Sequence, residues 1–132
     1  MKYLLYFPLL FLFGNNFSPG QKGTKKAFIE FRSTTLSFDT VKAGTIVKGE
    51  FNFKNTGDEM LGITTVQTSD GGTIAYWPQE VIKPGAGGII KVEFGFTGSR
   101  QGFQDKLFNV ISNADNSPVM LHWKGVIIGN MQ

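Results

Sequence analysis

Apolar residues recur at every second position through most of this chain, and that period restricts what it can become. In TIVKGEFNFKNTG, Val47, Gly49, Phe51 and Phe53 fall on one side, and Lys48, Glu50, Asn52 and Lys54 on the other. Successive side chains of a strand point to opposite faces, so the pattern predicts a half-buried β-strand. IIKVEFGF repeats it, with Ile90, Val92, Phe94 and Phe96 set against Lys91, Glu93 and Gly95. KLFNVISN turns Phe108 and Val110 inward, and SPVMLHWKGVIIG sets Val119, Leu121 and Trp123 against Met120, His122 and Lys124. FIEFRSTTLSFDTV, MLGITTVQTS and GTIAYW read as further strands. Burial is worth roughly 25 cal/mol per Å² of apolar area, so a one-residue slip, which would expose Phe51, Phe53, Phe94 and Phe96 together, is strongly disfavoured.

No stretch of adequate length carries a helical period. Most of the 17 glycines and five prolines fall between the runs. Short strands at spacings of about ten residues predict an all-β fold. The expected architecture is an immunoglobulin-like β-sandwich of about seven to eight antiparallel strands, with a closed barrel as the alternative. NTGD at 55–58 ends one strand with turn chemistry, and Gly57 is expected to supply a positive φ. SDGG at 69–72 carries Asp70-Gly71, a hairpin signal. Pro84-Gly85 opens another turn.

The chain has 132 residues, which suits one domain, and 13 phenylalanines, which suit a real core. Its first segment reads differently. Lys2 precedes an apolar run from Tyr3 to Phe13, too short for a helix across a bilayer core of about 30 Å. The pattern predicts a signal peptide over 1–20, with Ser18 and Gly20 as the small residues before a mature start at Gln21. Residues 21–27 are expected to be a flexible leader and 28–132 the folded domain. The expected location is secreted or periplasmic, with no stable membrane insertion after cleavage.

The net charge is +3, and the lysines are scattered except for Lys22, Lys25 and Lys26. No basic stripe marks a nucleic-acid partner. The absence of cysteine excludes disulfides, thiolate metal sites and a cysteine nucleophile.

The order of motifs is informative. FNFKNTG at 51–57, SDGGT at 69–73, the proline-glycine turn leading into IIKVEF at 84–94, Ser112-Asn113-Ala114 and Lys124-Gly125-Val126 together resemble the bacterial domain-of-unknown-function family 1573. The resemblance covers 34–128. It implies an immunoglobulin-like sandwich related to Hydin-type and major-sperm-protein-like domains, export, and no established catalysis. In that family the knot at 69–73 is typically Ser-Cys-Gly-Cys-Thr. Asp70 and Gly72 stand at the cysteine positions, so a redox or thiolate-metal role is not implied for this chain.

Few residues suggest chemistry. His122, the single histidine, shares its face with Met120 and Lys124 and reads as a solvent-side residue. No paired carboxylates or nucleophile–base set is marked. NADNSP at 113–118 approaches a calcium loop through Asn113, Asp115 and Asn116 but lacks its glycine and closing glutamate, and reads as a hairpin turn. The expected catalytic, metal and cofactor sets are therefore empty. Candidate contact residues are Ser69 and Asp70 in the knot, and Tyr76 and Trp77 beside it. Those two aromatics suit either rim packing or a ligand platform. Asp39-Thr40-Val41 matches an Asp-Ser/Thr-aliphatic pattern for O-glycosylation at Thr40. The functional expectation is an exported, non-enzymatic module of the cell envelope that contacts a protein partner. The alternative is a small carbohydrate- or ligand-binding module using Tyr76 and Trp77.

Overall fold

The computed structural model describes residues 25–95 and 101–129. The expected signal peptide, most of the leader and Phe96 lie outside the described residues. Eight strands follow in order: β1 (Ile29–Phe31), β2 (Thr35–Lys42), β3 (Val47–Asn55), β4 (Ile63–Thr68), β5 (Thr73–Tyr76), β6 (Gly87–Phe94), β7 (Gly102–Ser112) and β8 (Val119–Ile128). They form two four-stranded sheets, β1-β3-β6-β5 and β2-β8-β7-β4. This is the immunoglobulin arrangement with the first strand divided between the sheets. Among the described residues no helix is long and apolar enough to cross a membrane.

The division explains one departure from expectation. FIEFRSTTLSFDTV is two strands, not one. The chain leaves the first sheet after β1, crosses at 32–34 and joins the second sheet without reversing. β2 therefore runs parallel to β8, while every other ladder is antiparallel. A bulge between Ser37 and Asp39 leaves Phe38 as the extra residue, with Asp39 at φ 59°. The Phe38 ring covers Gly125 so closely that a Cβ there would overlap it.

The inward phase meets in one core. Trp123 is its centre, with ring centroids of Phe94, Phe38 and Phe108 at 5.2, 5.6 and 6.2 Å. Offset and edge-on aromatic pairs of this kind add to the area they bury. Phe51, Ile90, Val92, Val110 and Leu121 complete it, in the phase read from the sequence.

The turns divide between confirmation and correction. Ala86 N–H donates to the Lys83 carbonyl at 2.9 Å with Gly85 at φ 86°, a type II turn whose proline and glycine stand where that turn needs them. Gly57 is a glycine for another reason than the expected one. Its φ is not positive; a Cβ there would strike the Lys26 carbonyl. Lys26 is bonded at that point, its N–H donating to Asp58 Oδ1 at 2.8 Å and its carbonyl accepting from Asp58 N–H at 2.9 Å. Ala27 beside it is buried. The end of the expected leader thus belongs to the folded domain.

Candidate functional site

The knot SDGGT is not a hairpin. β4 pairs with β7 in one sheet and β5 with β6 in the other, so residues 69–72 cross between sheets. Ser69 extends the β4 ladder: its N–H donates to the Leu107 carbonyl at 3.1 Å, and its Oγ accepts from Leu107 N–H at 3.0 Å. Asp70 turns toward the core. Its Oδ1 accepts from Thr73 Oγ1 at 2.7 Å and Gly72 N–H at 3.1 Å, and its Oδ2 accepts from Lys106 Nζ at 2.9 Å. Lys106 is only 4% exposed, and its ammonium lies 4.5 Å from the centre of the Phe94 ring. Burial works to raise the Asp70 carboxyl. The Thr73 and Lys106 hydrogen bonds, the Lys106 charge and the Gly72 N–H outweigh it, holding the group below its ordinary value. Ser69 and Asp70 thereby fasten the crossover, with their polar atoms already engaged.

The neighbouring aromatics part company. Tyr76 stands out from β5, 54% exposed, whereas Trp77 packs against the core. Tyr76 is the more exposed of the two, and Trp77 is partly buried. Thr40 is exposed on the edge strand β2, opposite Val126. His122 is on the solvent side, its Nδ1 3.1 Å from both Asp105 carboxylate oxygens. The side chains of Asn113 and Asn116 serve the backbone, and Asp115 Oδ1 accepts from Lys26 Nζ at 3.0 Å. Asn113 accepts from Gly62 N–H at 2.8 Å and donates to the Met60 carbonyl at 3.0 Å, while Asn116 does the same for both main-chain groups of Ile29. Among the described residues no cluster of His, Cys, Asp or Glu is grouped to hold a metal.

The two outer faces differ. On the β1-β3-β6-β5 face, Glu30 stands opposite Lys54, Glu50 opposite Lys91 and Lys48 opposite Glu93. Opposite charges alternate there, beside the exposed Ile74, Tyr76 and Ile89. On the β2-β8-β7-β4 face, Phe103 lies opposite Val126, and Leu107 opposite His122. Phe103 is 67% exposed, and Ile128 and Met120 are exposed on the same face. Phe103 and Ile128 stand near one end of that face, and Met120 stands toward the other, past Lys124 and His122.

The sequence reasoning missed Lys106 and Phe103, and the signal for both was parity. In GFQDKLFNVI, Lys106 shares the phase of the inward Phe108 and Val110. Phe103 takes the opposite phase, so one strand start sends a lysine inside and a phenylalanine outside.

A family model described as a protein of unknown function (DUF1573) matches residues 29–127. No curated protein matches the chain in sequence. Among solved structures, a protein of unknown function from Porphyromonas gingivalis W83 superposes with a TM-score of 0.64 at 18% identity. The match covers 77% of this chain and 47% of that one, so this chain spans about half its length. A PapD-like domain of human CEP192 superposes with a TM-score of 0.64 at 10% identity, covering 96% of this chain and 99% of that one. The CupB2 chaperone of Pseudomonas aeruginosa gives 0.55 at 10% identity, over 73% of this chain and 54% of that one. These likenesses establish the fold.

Proposed function

The chain belongs to the DUF1573 family of proteins of unknown function, and from that premise we propose that it is an exported module that binds another protein and performs no catalysis. One observation carries the reading. The β2-β8-β7-β4 face carries Phe103, at 67% the most exposed large apolar side chain among the described residues, with Ile128 and Met120 on the same face, while the opposite face sets pairs of opposite charge beside Ile74, Tyr76 and Ile89. Apolar side chains held on a rigid sheet suit a protein partner, because they bury area without ordering a loop. The chaperone fold of a structural neighbour is in keeping with it. The crossover at 69–72 is fastened by charge and hydrogen bonds.

A photo-crosslinking residue placed at Phe103, and separately at Lys54, tests the surface in cells. A discrete adduct is expected from position 103 alone, and Phe103→Glu in a chain crosslinked through Met120 should abolish it. Equal adducts from both faces, or none, would overturn the assignment. Export is tested by N-terminal sequencing of envelope material: a start near Gln21 is expected, and an intact Met1 would contradict cleavage. Thr40 belongs to the same proposal, since its side chain is exposed on an edge strand. An unmodified intact mass from the native host would remove the glycan.

A further inference from the structure

A second surface, separate from the apolar face, is the open edge of β3. β1 pairs with β3 only as far as Phe31 opposite Phe53, with one further bond from Arg32 N–H to the Asn52 carbonyl at 2.9 Å. The chain then departs for the other sheet. Residues 47–51 of β3 are left with β6 on one side and, among the described residues, no strand on the other. The backbone phase on that side is fixed by its neighbours. Asn52 accepts from Arg32 and Thr56 donates to Phe28, so even-numbered residues aim their main-chain groups at the open side. Lys48 and Glu50 therefore present unpaired N–H and C=O groups to solvent there.

We propose that this edge pairs with the same edge of a second copy, antiparallel, about a two-fold axis at Gly49. Three features of the chain fit such a pairing. First, phase: in this register Lys48 faces Glu50 of the second copy, and both are residues whose main-chain groups point across. Each such pair exchanges two hydrogen bonds, and the Gly49–Gly49 pair at the axis is the narrow, non-hydrogen-bonded kind. Second, charge. Within one chain Lys48 stands opposite Glu93, and Glu50 opposite Lys91. Across the axis each row becomes Glu93, Lys48, then Glu50 and Lys91 of the second copy, alternating in sign without a break. Third, length. β3 begins at Val47, and the preceding turn, where Thr45 N–H donates to the Lys42 carbonyl at 3.1 Å, draws the chain away. That turn comes just where the second copy's own β1 would otherwise be met. A lone lysine on an open edge deters association. A lysine and a glutamate placed symmetrically about a glycine deter most strands and welcome this one, and a two-fold pairing closes on itself instead of growing into a fibre.

Sedimentation of the full chain tests it. The wild type should be a dimer, weakened by salt. Lys48→Glu and Glu50→Lys should each raise the dissociation constant at least about tenfold, because each sets like charges opposite one another twice. Mixing those two variants should restore a dimer, since every facing pair is then again of opposite sign, and that recovery shows both variants are folded. A monomeric wild type at high micromolar concentration overturns the proposal. So does a dimer indifferent to either reversal, or a mixture that stays monomeric.

Discussion

The two ends of the sandwich both bury polar side chains, and they satisfy them by different means. At one end, Asn55 closes β3 and is fully buried. Its Oδ1 accepts from Gly57 N–H at 3.0 Å and Phe28 N–H at 3.4 Å, and its Nδ2 donates to the carbonyls of Glu59 at 2.8 Å and Ile82 at 3.0 Å. Both lone pairs and both protons of the amide are used, with no charge involved. At the other end Asp70 and Lys106 share an ion pair, with Thr73 and Gly72 completing the carboxylate. The neutral end ties three segments together, at Phe28, Gly57–Glu59 and Ile82, through their backbones. The charged end holds one crossover through side chains. Of these two fastenings only the ion pair can respond to pH, and apolar residues in its place release one backbone group, the Gly72 N–H, where loss of the Asn55 amide releases four.

Substitutions separate the two. Asp70→Ala strands a buried ammonium and should cost about 3–5 kcal/mol, read as a fall in the urea midpoint. Asn55→Ala orphans backbone groups on several loops and should cost about 2–4 kcal/mol, unchanged across pH. The pH profile distinguishes them further. A carboxyl held below its unfolded value adds stability that is complete above that value, about 3.9, and is lost as pH falls through the folded one. The wild type should therefore lose stability below about pH 4, Asn55→Ala should keep that dependence, and a chain carrying Asp70→Leu with Lys106→Met should lose this part of it. Asn116→Ala removes two bonds to Ile29 at a partly exposed site, where water can substitute, and should cost about 1 kcal/mol. The Asp70→Leu, Lys106→Met pair should lie within about 1 kcal/mol of wild type at neutral pH, since a well-packed apolar pair can match a buried ion pair. A large loss there would show that the charged end, like the neutral one, depends on specific bonds.

Much of this architecture was legible in the chain. The inward phases of Phe51, Phe53, Ile90, Val92, Phe94, Phe108, Val110, Leu121 and Trp123 all follow from alternation, and the type II turn follows from Pro84-Gly85. The knot was misread as a hairpin because Asp70-Gly71 specifies a tight reversal and not which sheet receives the next strand. Val66 and Thr73 face one shared core from opposite sheets, and a period of two is the same in either. The exposed Phe103 was missed for a related reason: it is one apolar residue in a polar start, and it gains an apolar neighbour only once β8 sets Val126 beside it.

The sequence by itself determined that the chain is built of strands, where most of them turn, and which side of each is buried. These depend on neighbours two to five residues apart, whose geometry the backbone imposes locally. Tertiary structure alone decided that the first run divides between sheets, that Lys106 finds Asp70, and that Gly57 makes room for Lys26. Each joins residues far apart in the chain, and their energies exist only when the two sheets have closed on each other.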